Sequence, residues 1–375
     1  MKIQIEKDAL NTGIQTVQNI VSSRTTLPIL SNILLETTKN NTLKFYATDL
    51  DVGISCEIPV DIIEEGSITI QAKRFSDIVK ELPNEKIMIN VSKNNKIDIE
   101  GQHCRFKVSG LSKDEFPKFP DLEDSFTVKL NQSILKKLLK LTVISVSHPN
   151  SEEGPNVLNG VLIDIQDNLI TIVATDGNRL SKSEIEIQQT FSEDRRVILP
   201  LKAIAELQKN LSDSSKDELS MIVSKNQVLF KTENVFIVTR LMEGEFPEYK
   251  QVIPKNIVSQ KIKVNKNAFS GALRRSTILG TPDFEVVKFE LFKDKLVIFR
   301  NTPDIGESRE EVFIEYKGSE LSLGCNPNYF YDLLKNLDIE DEDIVLDFYG
   351  EKKPIVIKID KIKHTYLVMP VLFEE

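Results

Sequence analysis

Hydrophobic and polar positions along the chain follow two alternating rhythms. Short stretches alternate apolar and polar residues, as a strand with one buried face requires. Each leads into a stretch whose apolar residues fall three and four apart, as a helix requires. The opening, "KIQIEKDALNTGIQTVQNIV", is such a pair, with Leu10, Ile14, Val17 and Val21 on one stripe. The pattern returns as "FTVKLNQSILKKLLKLTVIS" and as "KIKVNKNAFSGALRRSTIL". An apolar strand follows each copy: "LPILSNILLE", "PNVLNGVLID" and "FEVVKFELFK". A second set, "ITIQAKRFSDIVKEL", "VILPLKAIAELQKNL" and "LSLGCNPNYFYDLLKNL", reads as strand, turn and helix, with alternating hairpins behind it. Six helices are expected, at 7–21, 72–81, 130–145, 200–210, 264–279 and 326–337.

A period beyond 100 residues means repeated domains rather than a solenoid of small units. Units one and two close on Phe116-Pro117 and Phe246-Pro247, where a proline-stiffened linker belongs. The domains are expected at 1–125, 126–254 and 255–375. The fold class is α+β: three tandem similar domains, each with two helices on antiparallel sheet. Such domains leave sheet edges open, and a head-to-tail assembly would hide them.

The repeat carries one polar signature. Ala47-Thr48-Asp49 returns 127 positions later as Ala174-Thr175-Asp176, while the third unit has "IFRNTPDIGES" in that slot. One reading makes Asp176 a general base beside Arg179 in a repeated-domain enzyme. The other makes Thr-Asp a cap that closes a turn or a helix start through side-chain-to-backbone hydrogen bonds. Repeated positions in separate domains do not converge on one pocket, and the chain has no nucleophile elbow, phosphate loop or zinc motif. Architecture is the better account.

Composition narrows the class further. Of 375 residues, 40% are hydrophobic and 28% charged, which suits a globular chain, and no apolar run is long enough to span a bilayer. Cys56, Cys104 and Cys325 are few and far apart, so reduced thiols and a cytoplasmic location are expected, with no metal site and no cofactor. The net charge is −9, yet the six helices together carry +8, which leaves −17 on everything else. Lys136, Lys137 and Lys140 share a helix face opposite Ile134, Leu138 and Leu141, and Arg274 and Arg275 follow suit beside Leu273 and Phe269. A basic surface built from helices, without base-reading motifs, fits the phosphate backbone of duplex DNA and no particular base sequence.

With these elements in place the chain resembles the bacterial sliding clamp family, the beta subunit of the replicative DNA polymerase. The resemblance is carried by "RTTLPILSNILLE" (24–36), "LNGVLID" (158–164), "ATDGNRLS" (174–181), "EFPEYKQVIPKN" (245–256) and "TYLVMPV" (365–371). It implies a head-to-tail homodimer forming a closed six-domain ring, the DNA clamp fold, with the helices around double-stranded DNA. The implied role is non-catalytic. The clamp tethers the replicative DNA polymerase catalytic subunit, and it engages the clamp loader, other DNA polymerases, ligase and mismatch-repair proteins through short linear peptides, with no membrane partner. Carried over by motif, the peptide-binding pocket comprises Leu158, Thr175, Gly177, Asn178, Arg179, Leu180, Pro247, Val252, Val368, Met369, Pro370 and Val371. DNA contacts fall to Arg24, Lys73, Lys136, Lys137, Lys140, His148, Lys202, Arg274 and Arg275. The dimer interface comprises Lys73, Arg74, Arg105, Phe106 and Val108 against Ile278, Leu279, Glu307, Glu310 and Glu311 of the other copy. The chain departs from the family at Asn178, where a histidine is common, and at Leu372, where many relatives carry arginine. The loop 147–156 is also acidic.

Overall fold

A computed structural model of the chain describes residues 1–21, 27–83, 85–120, 125–147, 156–191, 194–255, 257–282, 285–338 and 342–371. Arg24, His148 and Leu372 lie outside the described residues.

The first repeat runs β1 (Lys2–Glu6), α1 (Lys7–Val17), β2 (Asn32–Thr37), β3 (Thr42–Thr48), β4 (Val52–Pro59), β5 (Asp61–Glu64), β6 (Ser67–Gln71), α2 (Ala72–Glu81), β7 (Lys86–Val91), β8 (Lys96–Gly101) and β9 (Cys104–Ser109). The second runs β10 (Phe126–Asn131), α3 (Gln132–Thr142), β11 (Gly160–Gln166), β12 (Leu169–Thr175), β13 (Arg179–Glu186), β14 (Arg195–Pro200), α4 (Leu201–Asn210), β15 (Glu218–Val223), β16 (Gln227–Lys231) and β17 (Val235–Arg240). The third runs β18 (Gln260–Asn265), α5 (Lys266–Ser276), β19 (Val287–Phe292), β20 (Lys295–Thr302), β21 (Gly306–Glu315), β22 (Leu321–Cys325), α6 (Pro327–Asn336), β23 (Asp343–Phe348), β24 (Ile355–Ile359) and β25 (His364–Val368).

Side-chain alternation explains the strands. Ile3 and Ile5 on β1, Val128 and Leu130 on β10, and Ile262 and Val264 on β18 are buried while their neighbours face outward. Side chains that accept from the first-turn amides cap at least four of the helices: Gln71 from Arg74, Asn131 from Ile134, Asn265 from Asn267 and Ala268, and Asn326 from Asn328. The helices begin and end inside the expected limits and retain the expected +8 charge between them.

Three local expectations need correction. Helix α1 stops at Val17, a 3-10 turn follows, and Ile20 rather than Val21 is buried. The apolar strands begin late, because 3-10 turns occupy Pro28–Ser31 and Asn156–Asn159. Ile134 is 48% exposed, and the buried face of α3 runs through Leu135, Leu138 and Leu139 instead. The C-terminal strand β25 lies inside its sheet, flanked by β13 and β24.

The described chain divides into two compact units, Met1–Ile134 with Lys202–Leu241, and Leu135–Leu201 with Met242–Glu375. In the first, a five-stranded sheet has the order β5-β1-β7-β8-β9, and an eight-stranded sheet the order β10-β15-β16-β17-β4-β3-β2-β6. The second unit holds one sheet of twelve strands, β14-β11-β12-β13-β25-β24-β23-β18-β21-β20-β19-β22. All pairings are antiparallel. Two joints thus continue the sheet from one repeat into the next. At β17–β4, Ile237 faces Ile54, and at β25–β13, Tyr366 faces Ser181. Ile54 and Ser181 are themselves 127 apart, so both joints use one register. A further backbone bond recurs in all three repeats: Leu111, Met242 and Val371 each donate to the strand before the second helix, at Thr69, Ile198 and Gly324, over 3.2, 2.9 and 2.9 Å.

Candidate functional site

Strands β12 and β13 meet in the second Ala-Thr-Asp turn. Thr175 donates through Oγ1 to the Arg179 carbonyl (2.7 Å) and accepts from the Gly177 amide (3.1 Å). Asp176 Oδ1 accepts from the amides of Asn178 (3.0 Å) and Arg179 (2.9 Å). Gly177 sits at φ +92°, where a side chain is disfavoured. This is a side-chain-capped turn and not a helix start.

The closed turn delivers Arg179. Its guanidinium is buried, lies 4.5 Å over the Tyr329 ring, and binds Asp176 through Nε (2.9 Å) and Asp332 through an η nitrogen (2.7 Å). Burial works against the charge, but Tyr366, Asp332 and Asp176 outweigh it and hold the group protonated above its ordinary range. Asp176 thus has one oxygen in the turn and the other on Arg179, so neither is left to act as a base.

Beside the turn lies an apolar cluster formed by Val157, Leu158, Leu162, Val173, Leu180, Ile198, Phe246, Tyr249, Val356 and Leu367, with Met369 and Ile253 packed against it. Leu158, Leu180 and Met369 were expected together, and they are. Pro247 and Val252 stand exposed on the segment that carries Phe246 and Tyr249, and Asn178 is exposed on the turn. Val368 is placed differently from expectation: it is fully buried in the third-repeat core with Phe269 and Phe330, and Leu367 turns to the cluster. Strand alternation decides between the two. The Met369 amide donates to the Asn178 carbonyl (2.8 Å), and Val371, 40% exposed, bridges to Gly324, which ties Pro370 between two anchored neighbours. Phe246, Tyr249, Tyr329 and Asp332 were missed; the repeated Phe-Pro was the one signal for any of them.

Of the expected DNA-contact residues, Lys73, Lys137 and Arg274 are exposed and make no ion pair among the described residues. Lys136 is half-buried. Lys140 binds Asp338 (3.1 Å), Lys202 binds Asp49, and Arg275 binds Glu310, all at exposed nitrogens. Among the described residues no group of three His, Cys, Asp or Glu could hold a metal, and no helix is long and apolar enough to cross a membrane.

The expected interface residues sit on two sheet edges. Strand β9 ends the five-stranded sheet and exposes Arg105 and Phe106, with Val108 half-buried. Strand β21 pairs with β18 only at Glu315 and Ile314, so its stretch from Gly306 to Val312 has β20 on one side alone. Ile278 beside it is 74% exposed, and Leu279 lies against Gly306. Within one copy Arg105 binds Asp98 and Glu100, while Glu311 binds Lys295 and Arg309. Lys73, Arg74 and Glu307 are exposed.

Comparison with known proteins bears on all of this. The chain matches the family profiles described as DNA polymerase III beta subunit, N-terminal domain (residues 1–120), central domain (129–248) and C-terminal domain (250–372). It is 31% identical to the beta sliding clamp of Staphylococcus epidermidis over 382 residues, covering 99% of each chain. It is 30% identical to that of Chlamydia pneumoniae, covering 99% of this chain and 98% of the relative. The crystal structure of the DNA polymerase sliding clamp from Bacillus subtilis superposes with a TM-score of 0.92 at 31% identity, covering 100% of both chains.

Proposed function

Because the chain belongs to the DNA polymerase III beta subunit family, the sliding clamps, we propose that it works as a ring of two copies closed by pairing β9 of one with β21 of the other. The chain is a non-catalytic processivity subunit, and closing a ring is what that role requires of its two open edges. The carrying observation is the shared register of the two internal joints. Followed through the strand pairings of each repeat, Phe106 is equivalent to Ile237 and Tyr366, and Ser308 to Ile54 and Ser181. A third joint on the same rule sets Phe106 opposite Ser308 of the partner copy and Val108 opposite Gly306, beside Leu279. Arg105 then has Glu307 and Glu311 diagonally across. The apolar contacts dominate, because exposed ion pairs contribute only about 0–1 kcal/mol each.

On this reading domains fall at 1–125, 126–254 and 255–375, and the helices present their basic residues to the phosphates of double-stranded DNA. Lys140, Lys202 and Arg275 hold their carboxylate partners through exposed nitrogens and exchange them for phosphate at modest cost. The turn carrying Arg179, with Leu158, Leu180, Leu367 and Met369, anchors short linear peptides of the polymerase and other replication and repair proteins. Met suits a surface that accepts varied apolar side chains.

Cross-linking tests the joint. Cross-strand neighbours stand about 4.5–5.5 Å apart, within reach of a disulfide. In a Cys104→Ser background, Phe106→Cys with Ser308→Cys is expected to give covalent dimers on oxidation, and either change alone to give none. Ile278→Asp with Leu279→Asp is expected to sediment as monomers. Unchanged dimers together with no cross-link would refute the interface.

A further inference from the structure

Among the described residues, the outer face of the first half-sheet is covered by linker side chains in two repeats and carries no such cover in the third. The strand pairings make Tyr46, Val173 and Phe299 equivalent, as they do Leu34, Leu162 and Lys288, and two residues on, Glu36, Asp164 and Glu290. In repeat one the chain passes its backbone bond at Leu111 and lays Phe116 edge-on against Tyr46, with ring centroids 5.4 Å apart, while Lys113 binds Glu36 at 2.8 Å. In repeat two it passes the equivalent bond at Met242, buries Phe246 among Leu162, Val173 and Ile198, and sets the Tyr249 hydroxyl on Asp164 at 2.9 Å. Phe116 and Phe246 are 5% and 6% exposed, and each precedes a proline. The group that reaches the carboxylate lies three residues before the phenylalanine in one case and three after in the other.

The third repeat makes the same bond at Val371. Where the linker aromatic would lie there is a groove of about 560 Å³, lined among others by Val286, Lys288, Phe299, Ser322, Gly324 and Val371. Phe299, at the position of Tyr46, is half-buried, and Glu290 is held by Lys288 of its own strand at 2.8 Å. Strand β22 along the groove is a sheet edge, so an extended backbone has a partner beside the bridge at Val371.

We propose that this groove is a docking slot for an extended segment of another protein that carries Phe-Pro with a lysine or tyrosine three residues from the phenylalanine. The phenylalanine lies on Phe299, as Phe116 lies on Tyr46, and the lysine or hydroxyl displaces the exposed Lys288 from Glu290. The slot shares Val371 with the expected peptide pocket and no other lining residue, and its recognition rests on Phe299 and Glu290 rather than on the Arg179 turn.

The probe is a fluorescent peptide of this chain's own residues 113–119, Lys-Asp-Glu-Phe-Pro-Lys-Phe, titrated against the full-length protein by anisotropy. Saturable binding is expected. Ser322→Trp, which fills the groove, and Phe299→Ala, which removes its floor, should each weaken it about tenfold or more, as should Phe→Ala at both phenylalanines of the probe. Arg179→Ala should leave it unchanged. Absence of binding, or binding that survives both groove variants, overturns the proposal. Loss in Arg179→Ala alone would move the probe to the other site and likewise overturn it. A chain ending at Val371 that binds the probe tenfold more tightly than the full chain would assign the groove to the chain's own terminus, which also contradicts it.

Discussion

The two Ala-Thr-Asp turns share a scaffold and differ in what they carry. In the first, Thr48 donates to the Val52 carbonyl (3.0 Å) and accepts from the Leu50 amide (3.0 Å), and Asp49 accepts from the amides of Asp51 (3.0 Å) and Val52 (2.8 Å). These are the four bonds of the second turn. At the position of Gly177 stands Leu50 at φ +82°, at that of Arg179 the buried Val52, and at that of Leu180 Gly53. The spare oxygen of Asp49 meets the exposed Lys202, whereas that of Asp176 meets a buried guanidinium. Threonine and aspartate are therefore architecture in both places. The site arises from the two residues after the second turn and from the strand paired to them.

That difference can be broken hardest at the aspartates. Asp176→Ala removes two backbone caps and one partner of a buried cation, and is expected to cost about 4 kcal/mol. Asp49→Ala, whose ion partner is exposed, should cost about 1–2 kcal/mol. Urea denaturation of both variants compares them, and equal losses would deny the second turn its special load.

Acid should separate the two joints behind the turns. Behind the first, Cys56 faces Val235; behind the second, Ser183 faces His364, whose Nδ1 lies 2.8 Å from the serine hydroxyl and whose buried Nε2 has no hydrogen-bond partner among the described residues. Burial lowers the imidazole pKa to about 4, from 6.5. The unfolded chain takes its proton first, so this contribution is whole above pH 6.5 and is lost as pH falls toward 4. The loss is about 3 kcal/mol. Hydrogen exchange should show β13 and β25 losing protection over that range while β4 and β17 do not, and His364→Val should remove the difference.

The smallest effects lie in the turn backbones. Leu50→Gly relieves a left-handed leucine and is expected to stabilise by about 1 kcal/mol. Gly177→Ala meets no neighbouring atom but imposes the same strain, and should destabilise by about as much. Thermal melts of the pair should shift in opposite directions.

Much of this is legible in the sequence. Period-two and period-3.6 patterns located six helices and the strands around them, and a triplet repeated at 127 residues already argued for a turn over a catalytic centre. What escaped depends on register. Whether Leu367 or Val368 faces the cluster is a question of alternation along β25, which its sequence, apolar at both positions, cannot answer. Ile134 fits the apolar spacing of α3 and still lies outside, because the stripe through Leu135 and Leu139 is better covered. Phe246 and Tyr249 read as linker residues, and only the open face of β11 and β12 makes them part of the site's floor. Arg179 itself was found, but its hold on Asp332, 153 positions away, has no local signature.

The most direct test of the central claim uses DNA topology. The protein is labelled, loaded onto a nicked circular duplex with a clamp loader, and separated from free protein by gel filtration, before and after the circle is cut once. The account predicts that the label stays with the circle through high salt and is released on linearisation, whatever the base sequence. Retention on the linear form, or salt-driven release from the intact circle, would contradict a closed ring.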